Sequence, residues 1–114
     1  MELRIVDRTD ALTHLALVGK LDIAGVQEIE LTLLSHTTEN ARPTIIDLSD
    51  VTYITSTGIR LLLSCAKALK AAGMKMLLLK PQPFVGETLE SMGLQHAFPI
   101  VHDYDDAVEQ LRGK

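Results

Sequence analysis

Two runs of alternating apolar and polar residues open the chain, from Leu3 to Arg8 and from Leu12 to Gly19. Within the second run, Leu15 and Leu17 fall on one side and the residues between them on the other. Residues 9–10, Thr-Asp, supply a short polar turn between the runs. Alternating segments around a short turn are typical of an antiparallel hairpin, which we predict here.

The spacing of apolar residues becomes helical after Asp22, a residue suited to cap a helix N-terminus. The apolar positions of this first helix are Val26, Ile29, Leu33 and Leu34. The helical pattern fades over residues 35–40, and a β-branched run at residues 44–48 then predicts a buried strand.

Three further units alternate along the rest of the chain. A long amphipathic helix follows Gly58, with apolar residues at Ile59, Leu62, Leu63, Ala66 and Leu69. We predict a strand at residues 74–80, a helix whose apolar face comprises Phe84, Val85, Leu89 and Met92, a short strand at residues 97–101, and a helix capped by Asp103.

The predicted order is β-β-α-β-α-β-α-β-α, which indicates an α/β fold in a single domain, residues 1–114. Short buried strands joined by helices favour a mostly parallel sheet with right-handed crossovers. We expect a mixed sheet of four to five strands, opened by the antiparallel hairpin, with about four helices lying mainly on one face.

Composition narrows the possible functions. The net charge of −4 argues against a nucleic-acid partner, which normally requires a basic face. No segment is long and apolar enough for a membrane span or a signal peptide, so we expect a cytoplasmic location. Cys65, the only cysteine, fits a small core residue on a helix.

The four histidines are scattered, and we interpret them as surface or loop residues: His14, His36, His96 and His102. None has the i, i+3 or i+4 partner of a helical metal pair. We therefore expect no metal and no cofactor.

Three small hydroxyl residues, Thr55, Ser56 and Thr57, stand directly before Gly58 where a predicted strand meets the long helix. The simpler interpretation is that Thr55 or Ser56 caps the helix. The alternative is chemical: a helix N-terminus favours a phosphate, so a serine there suits covalent phosphorylation.

The sequence contains no recognisable reaction centre. Phosphate-binding loops of the forms G-x-x-x-x-G-K-[ST] and G-x-G-x-x-G are absent, as is G-x-S-x-G. Asp22 and Asp47 could form a pair of carboxylates, but helix capping and a strand end explain them more simply. We assign no catalytic residue.

Four segments together resemble, in order, the STAS domain of stand-alone bacterial anti-sigma factor antagonists. They are "VGKLDIAG", "TIIDLSDVTYITSTGIRLLL", "AAGMKMLLLKPQPFVGETLESMGL" and "AFPIVHDYDDAVEQL". The resemblance spans about residues 3–111, and the combined spacing makes it specific.

The resemblance implies a partner-switching function. Such an antagonist binds an anti-sigma factor that is also a serine kinase of the GHKL type. Phosphorylation of the antagonist stops binding, and a PP2C-type phosphatase restores it. The family's acceptor serine matches Ser56, and its G-x-L-D aspartate matches Asp22. The implied partner-binding residues are Asp22, Thr55, Ser56, Thr57, Gly58 and Arg60.

The sequence departs from the family pattern immediately before the acceptor, where Thr55 replaces the usual aspartate. Thr55 and Thr57 become secondary acceptor candidates. Two alternatives to the switch remain open: a STAS scaffold that is not phosphorylated, and a module that senses an anion or nucleotide. We expect a monomer, because no apolar stripe remains once the core is assigned.

Overall fold

The structure is a computed structural model that describes residues 1–112. Its strands are β1 (Glu2–Arg8), β2 (Thr13–Leu21), β3 (Thr44–Ile54), β4 (Met76–Leu79) and β5 (Ile100–Val101). Its helices are α1 (Ile23–Thr38), α2 (Ser56–Ala71), α3 (Pro83–Ser91) and α4 (Tyr104–Arg112), with a short 3₁₀ turn at Leu94–His96. The predicted order of elements is confirmed.

The five strands form one mixed sheet in the order β1-β2-β3-β4-β5. β1 and β2 are antiparallel, and the remaining neighbours are parallel. Because each parallel strand is followed by a helix, all four helices begin at the carboxyl edge of the sheet. β3 is longer than the predicted five-residue run and extends to Ile54, directly before the hydroxyl cluster.

The main core lies between the sheet and the first three helices. Its helical contributors are the buried residues Val26, Ile29, Leu33, Ile59, Leu62, Cys65, Leu69, Val85 and Leu89. α4 covers the other face, where Ala107 packs into a smaller cluster with Ile45 and Leu77. The prediction that most helices occupy one face is therefore confirmed, as is a buried position for Cys65.

Local signals set the helix ends in two places, and the first of them was predicted from the sequence. Asp103 accepts a hydrogen bond from the Asp106 N–H at 3.1 Å, which caps α4. Gly73 follows α2 with a φ of +76°, the left-handed conformation that ends helices at glycine. The Met74 N–H donates back to the Leu69 carbonyl at 2.8 Å and completes this end.

Two histidines were assigned wrongly from the sequence. His14 and His36 are buried, with only 7% and 8% of their surface exposed. His14 stacks on Tyr104 of α4, with ring centroids 5.1 Å apart, so a helix from the end of the chain covers it. The expectation of a surface position failed because that contact joins residues 90 positions apart in sequence. His96 and His102 are exposed, as predicted.

Two other packing expectations also need correction. Val85 and Leu89 are buried on α3, but Phe84 and Met92 are exposed and do not share their face. Apolar side chains do remain outside the core, and the exposed large ones are Ile5, Val6, Ile23, Leu31, Tyr53, Phe84 and Met92. The expected monomer itself stays a prediction, because exposed apolar side chains on separate elements do not by themselves form an interface.

We expect Gly25→Ala to lower the free energy of unfolding by roughly 2–4 kcal/mol, because a Cβ there would lie 2.0 Å from the Lys20 carbonyl oxygen. Gly86→Ala is the matched control, since its Cβ would meet only Pro81 at an ordinary 3.5 Å. Urea denaturation measures both. Equal stability of the two variants would contradict this account of Gly25.

We expect stability to fall as the pH drops from 7.5 to 5.5. Burial lowers the pKa of His14, against the opposing carboxylates of Asp47 and Asp7, and burial also lowers that of His36. Below pH 6.5 the unfolded chain then binds more protons than the folded one, so each group removes at most about 1.4 kcal/mol per pH unit.

Urea denaturation at the two pH values measures this loss. His14→Phe should reduce the loss, whereas His102→Gln, at an exposed position, should leave it unchanged. The same pH dependence in His14→Phe and in the unsubstituted protein would show that His14 does not contribute.

Candidate functional site

Ser56 lies at the carboxyl edge of the sheet, two residues beyond the end of β3, and is the first residue of α2. Its side chain is exposed, whereas Thr55 and Thr57 are half-buried. The Ser56 hydroxyl has no hydrogen-bond partner within residues 1–112. Of the three hydroxyl residues, Ser56 is therefore the one most accessible to another protein.

Thr55 occupies the N-cap position of α2, with φ −117° and ψ 174°, but its side chain does not cap the helix. Its hydroxyl instead donates to the Leu21 carbonyl at 3.1 Å, and its backbone N–H donates to the same oxygen at 3.1 Å. The expectation that Thr55 or Ser56 caps the helix through its side chain was therefore wrong. Thr55 fixes the start of α2 against the end of β2.

The first turn of α2 offers unpaired N–H groups to a negatively charged group. No acidic residue lies in the first turn, and no side chain accepts a hydrogen bond from it. The first N–H groups of a helix lack intrahelical acceptors and bear about half a positive charge in total. A negatively charged group on Ser56 would be stabilised at this position.

Gly58 allows α2 to approach β2 closely. A Cβ at this position would lie 2.5 Å from the Leu21 carbonyl oxygen and 2.9 Å from the Leu21 Cβ. Any larger residue would push the helix away from the strand. The small residues of the Thr-Ser-Thr-Gly segment are thus explained in part by packing.

Asp22 organises the adjacent start of α1. Its Oδ1 accepts a hydrogen bond from the Gly25 N–H at 2.8 Å, which confirms the predicted cap. Leu21 pairs with Ile54 across the parallel strands, so Asp22 and Thr55 follow neighbouring strand ends. The structure therefore brings together the two motifs that the sequence separates by 33 residues.

Arg60 lines a shallow groove between α1 and α2. The groove has a volume of about 280 Å³, and its other polar side chains are Gln27, Glu30, Thr57 and Ser64. Small-molecule sites usually occupy about 300–1,000 Å³, so this groove lies below that range. It fits a surface that a partner covers better than a pocket that encloses a nucleotide.

The sequence interpretation missed an aromatic pair at the same edge. Tyr53 near the end of β3 stacks on Phe84 in the first turn of α3, with ring centroids 5.7 Å apart and planes within 3°. They are 45% and 53% exposed. Val85 and Leu89, four residues apart, fix the buried face of α3 and could have indicated that Phe84 lies outside it.

Exposed aromatic side chains often anchor protein interfaces, because they bury a large area with few rotatable bonds. Ile23 at the start of α1 is a further exposed apolar residue at this edge. The site therefore combines an exposed serine, an arginine and apolar anchors on a single edge of the sheet.

Cys65 has no chemical role at this site. It lies on the buried side of α2, where burial raises the pKa of its thiol to about 12, although a hydrogen bond with Thr37 opposes the shift. The reactive thiolate is therefore suppressed at neutral pH. Within residues 1–112, no group of three or more His, Cys, Asp or Glu side chains could hold a metal ion.

In the described part of the chain, none of the helices has both the length and the apolar character needed to cross a membrane.

Residues 2–107 match the STAS domain family, so the chain belongs to that family. BtrV of Bordetella bronchiseptica, which is named as a candidate anti-sigma factor antagonist, is 28% identical over 107 residues. The aligned region covers 94% of this chain and 92% of BtrV.

Solved structures show the same fold. An anti-sigma factor antagonist domain protein from Planctomyces limnophilus has a TM-score of 0.84 at 20% identity, covering 97% of this chain and 98% of that one. The unphosphorylated anti-sigma factor antagonist SpoIIAA has a TM-score of 0.73 at 21% identity, and the match covers 99% of this chain and 100% of SpoIIAA. SpoIIAA of Bacillus in its phosphorylated form has a TM-score of 0.73 at 20% identity, and the match covers 97% of this chain and 100% of SpoIIAA.

We expect Asp22→Ala to lower the free energy of unfolding by about 1 kcal/mol, because the Gly25 N–H loses its acceptor. Asp22→Asn keeps an acceptor oxygen and should stay within a few tenths of a kcal/mol of the unsubstituted protein. Urea denaturation distinguishes them. Equal losses in the two variants would assign the effect of Asp22 to its charge rather than to capping.

Proposed function

We propose that this protein is an anti-sigma factor antagonist whose binding to an anti-sigma factor is switched by phosphorylation of Ser56. The observation that carries the proposal is the exposed, unbonded hydroxyl of Ser56 at the first residue of α2. The names of BtrV and of SpoIIAA support the antagonist class, and a phosphorylated form of SpoIIAA is known.

Phosphorylation would change the site without unfolding it. A phosphoserine adds about −1.5 to −2 charges at neutral pH. At the start of a helix this charge is favourable by roughly 0.3–1 kcal/mol, so α2 would remain formed. A partner already packed over Ser56 would instead have to bury a new dianion against its own surface, which disfavours the complex.

The partner-binding surface in this proposal is the edge that contains Asp22, Thr55, Ser56, Thr57 and Gly58, together with Arg60. Tyr53 and Phe84 extend it with apolar area. The partner would be an anti-sigma factor with serine kinase activity of the GHKL type. A PP2C-type phosphatase would remove the phosphate and restore binding. This function requires no catalytic residue in the chain itself.

Thr55 supports a second candidate, a STAS scaffold that binds its partner without being phosphorylated. The family usually has aspartate at this position, but the Thr55 hydroxyl is engaged with the Leu21 carbonyl. It therefore supplies no carboxylate to orient Ser56 or a kinase. The scaffold predicts equal partner affinity with and without kinase activity.

The test of the switch begins with mass spectrometry of the protein from its native cells, followed by phosphorylation with the kinase that co-purifies. We expect one phosphate on Ser56 and none in Ser56→Ala. Ser64→Ala, eight residues along the same helix, is the control and should be modified normally. Undiminished phosphorylation of Ser56→Ala would show that Ser56 is not the acceptor and would leave Thr55 and Thr57 as the candidates.

Binding measurements separate the switch from the scaffold. Ser56→Asp should weaken anti-sigma factor binding by roughly tenfold or more, because a charge enters a desolvated contact. Ser91→Asp adds the same charge at an exposed position at the far end of α3 and should have little effect. Unmodified Ser56 in every growth condition, with the partner still bound, would favour the scaffold.

A further inference from the structure

A second groove lies at the opposite edge of the sheet, between the last turns of α2 and the segments that lead into β4 and β5. Its volume is about 370 Å³, which is within the usual range of binding clefts. Its apolar lining comprises Leu63, Ala66, Met74, Met76, Ala97 and Pro99. Nothing in the proposed switch uses these residues.

Basic side chains border this groove. Lys67, Lys70 and Lys75 line it together with His96, and the described lining includes no acidic residue. The whole chain, by contrast, has 15 acidic and 11 basic residues. The border of this groove is therefore basic, although the net charge of the protein is negative.

Fold stability alone explains only part of this arrangement. Lys70 lies in the last turn of α2, where a cation interacts favourably with the helix dipole. Lys75 donates a hydrogen bond to the Gln110 carbonyl at 3.3 Å and so contacts α4. Lys67 lies one turn earlier, is exposed, and has neither of these roles.

The groove is lined by the half-buried Met74 and by the exposed edge of the core residue Met76. These are two of the four methionines in the chain. Methionine side chains are flexible and polarizable, and they are common on surfaces that accommodate varied apolar side chains. A lining of this kind suits the uneven side chains of a peptide.

We propose that this groove binds an acidic amphipathic segment of a partner protein. Apolar side chains on one face of that segment pack against Met74, Met76 and Leu63. Carboxylates flanking that face pair with Lys67 and Lys70 at the border. Charge complementarity selects this occupant, because a basic or neutral segment would leave the positive potential around the groove unopposed.

The geometry disfavours the other occupants. A small ligand would be enclosed only in part, because the groove is open to solvent on one side. An anionic membrane would also approach the acidic side chains elsewhere on a protein of net charge −4. A short segment responds mainly to charges within a Debye length, about 8 Å at physiological salt.

The groove and the Ser56 site involve different parts of α2. Lys67 follows Ser56 by eleven residues, which is roughly 16 Å along the helix axis. The groove proposal does not depend on phosphorylation of Ser56, and either proposal can fail without the other.

The test uses a fluorescein-labelled synthetic peptide of about 14 residues, with leucine at helical i, i+3, i+4 and i+7 spacing and glutamate on its flanks. A second peptide has the same leucines and lysine in place of glutamate. Fluorescence polarisation should detect binding of the acidic peptide, weaker at higher salt. Methyl NMR should show shifts at Met74 and Met76.

Variants locate the binding. Lys67→Glu should lower the affinity for the acidic peptide by roughly tenfold. Lys20→Glu makes the same change at the opposite edge of the sheet and should have little effect on that affinity. Ser56→Ala should bind the peptide normally, which separates this proposal from the switch. Unchanged helical content and urea stability of Lys67→Glu show that it is folded.

Three results would overturn the proposal. The first is equal binding of the acidic and basic peptides, and the second is equal weakening by Lys67→Glu and Lys20→Glu. The third is no binding of the acidic peptide while vesicles containing anionic phospholipid retain the protein through Lys67, which would assign the groove to a membrane surface.

Discussion

The contact of two helices with the end of β2 is the constraint on which the site depends. The Lys20 and Leu21 carbonyls lie so close to α1 and α2 that only glycine fits at positions 25 and 58. Thr55 adds two hydrogen bonds to the Leu21 oxygen. Since a packed interior resists displacement, the two helix starts are held in fixed positions at one edge of the sheet.

This arrangement gives the exposed serine its properties. Thr55 uses its hydroxyl for structure, and the half-buried Thr57 follows inside the first turn, whereas Ser56 projects to solvent at the positive end of a sixteen-residue helix. The same helix presents lysines toward a separate groove near its other end. α2 therefore contributes to two surfaces of different chemistry: hydroxyl residues beside the Tyr53–Phe84 pair at its start, and lysines beside Met74 and Met76 at its end.

Much of the fold could be predicted because short-range signals agreed with one another. The alternation in β1 and β2, the helical spacing after Asp22, and the helix cap at Asp103 each reflect interactions within a few residues. The position of Ser56 at a helix start came from the same kind of local pattern. The STAS resemblance added the expectation that Asp22 and Ser56 belong to one partner-binding surface, which no local spacing could provide.

The sequence by itself therefore determined the order of the elements, the helix start at the hydroxyl cluster and the buried position of Cys65. Only the tertiary structure decided that His14 lies beneath Tyr104, that Thr55 bonds to Leu21 instead of capping α2, and that Tyr53 stacks on Phe84. The physical reason is that these contacts join residues 31 to 90 positions apart. Local periodicity specifies which face of an element is apolar, whereas the packing of distant elements specifies what covers that face.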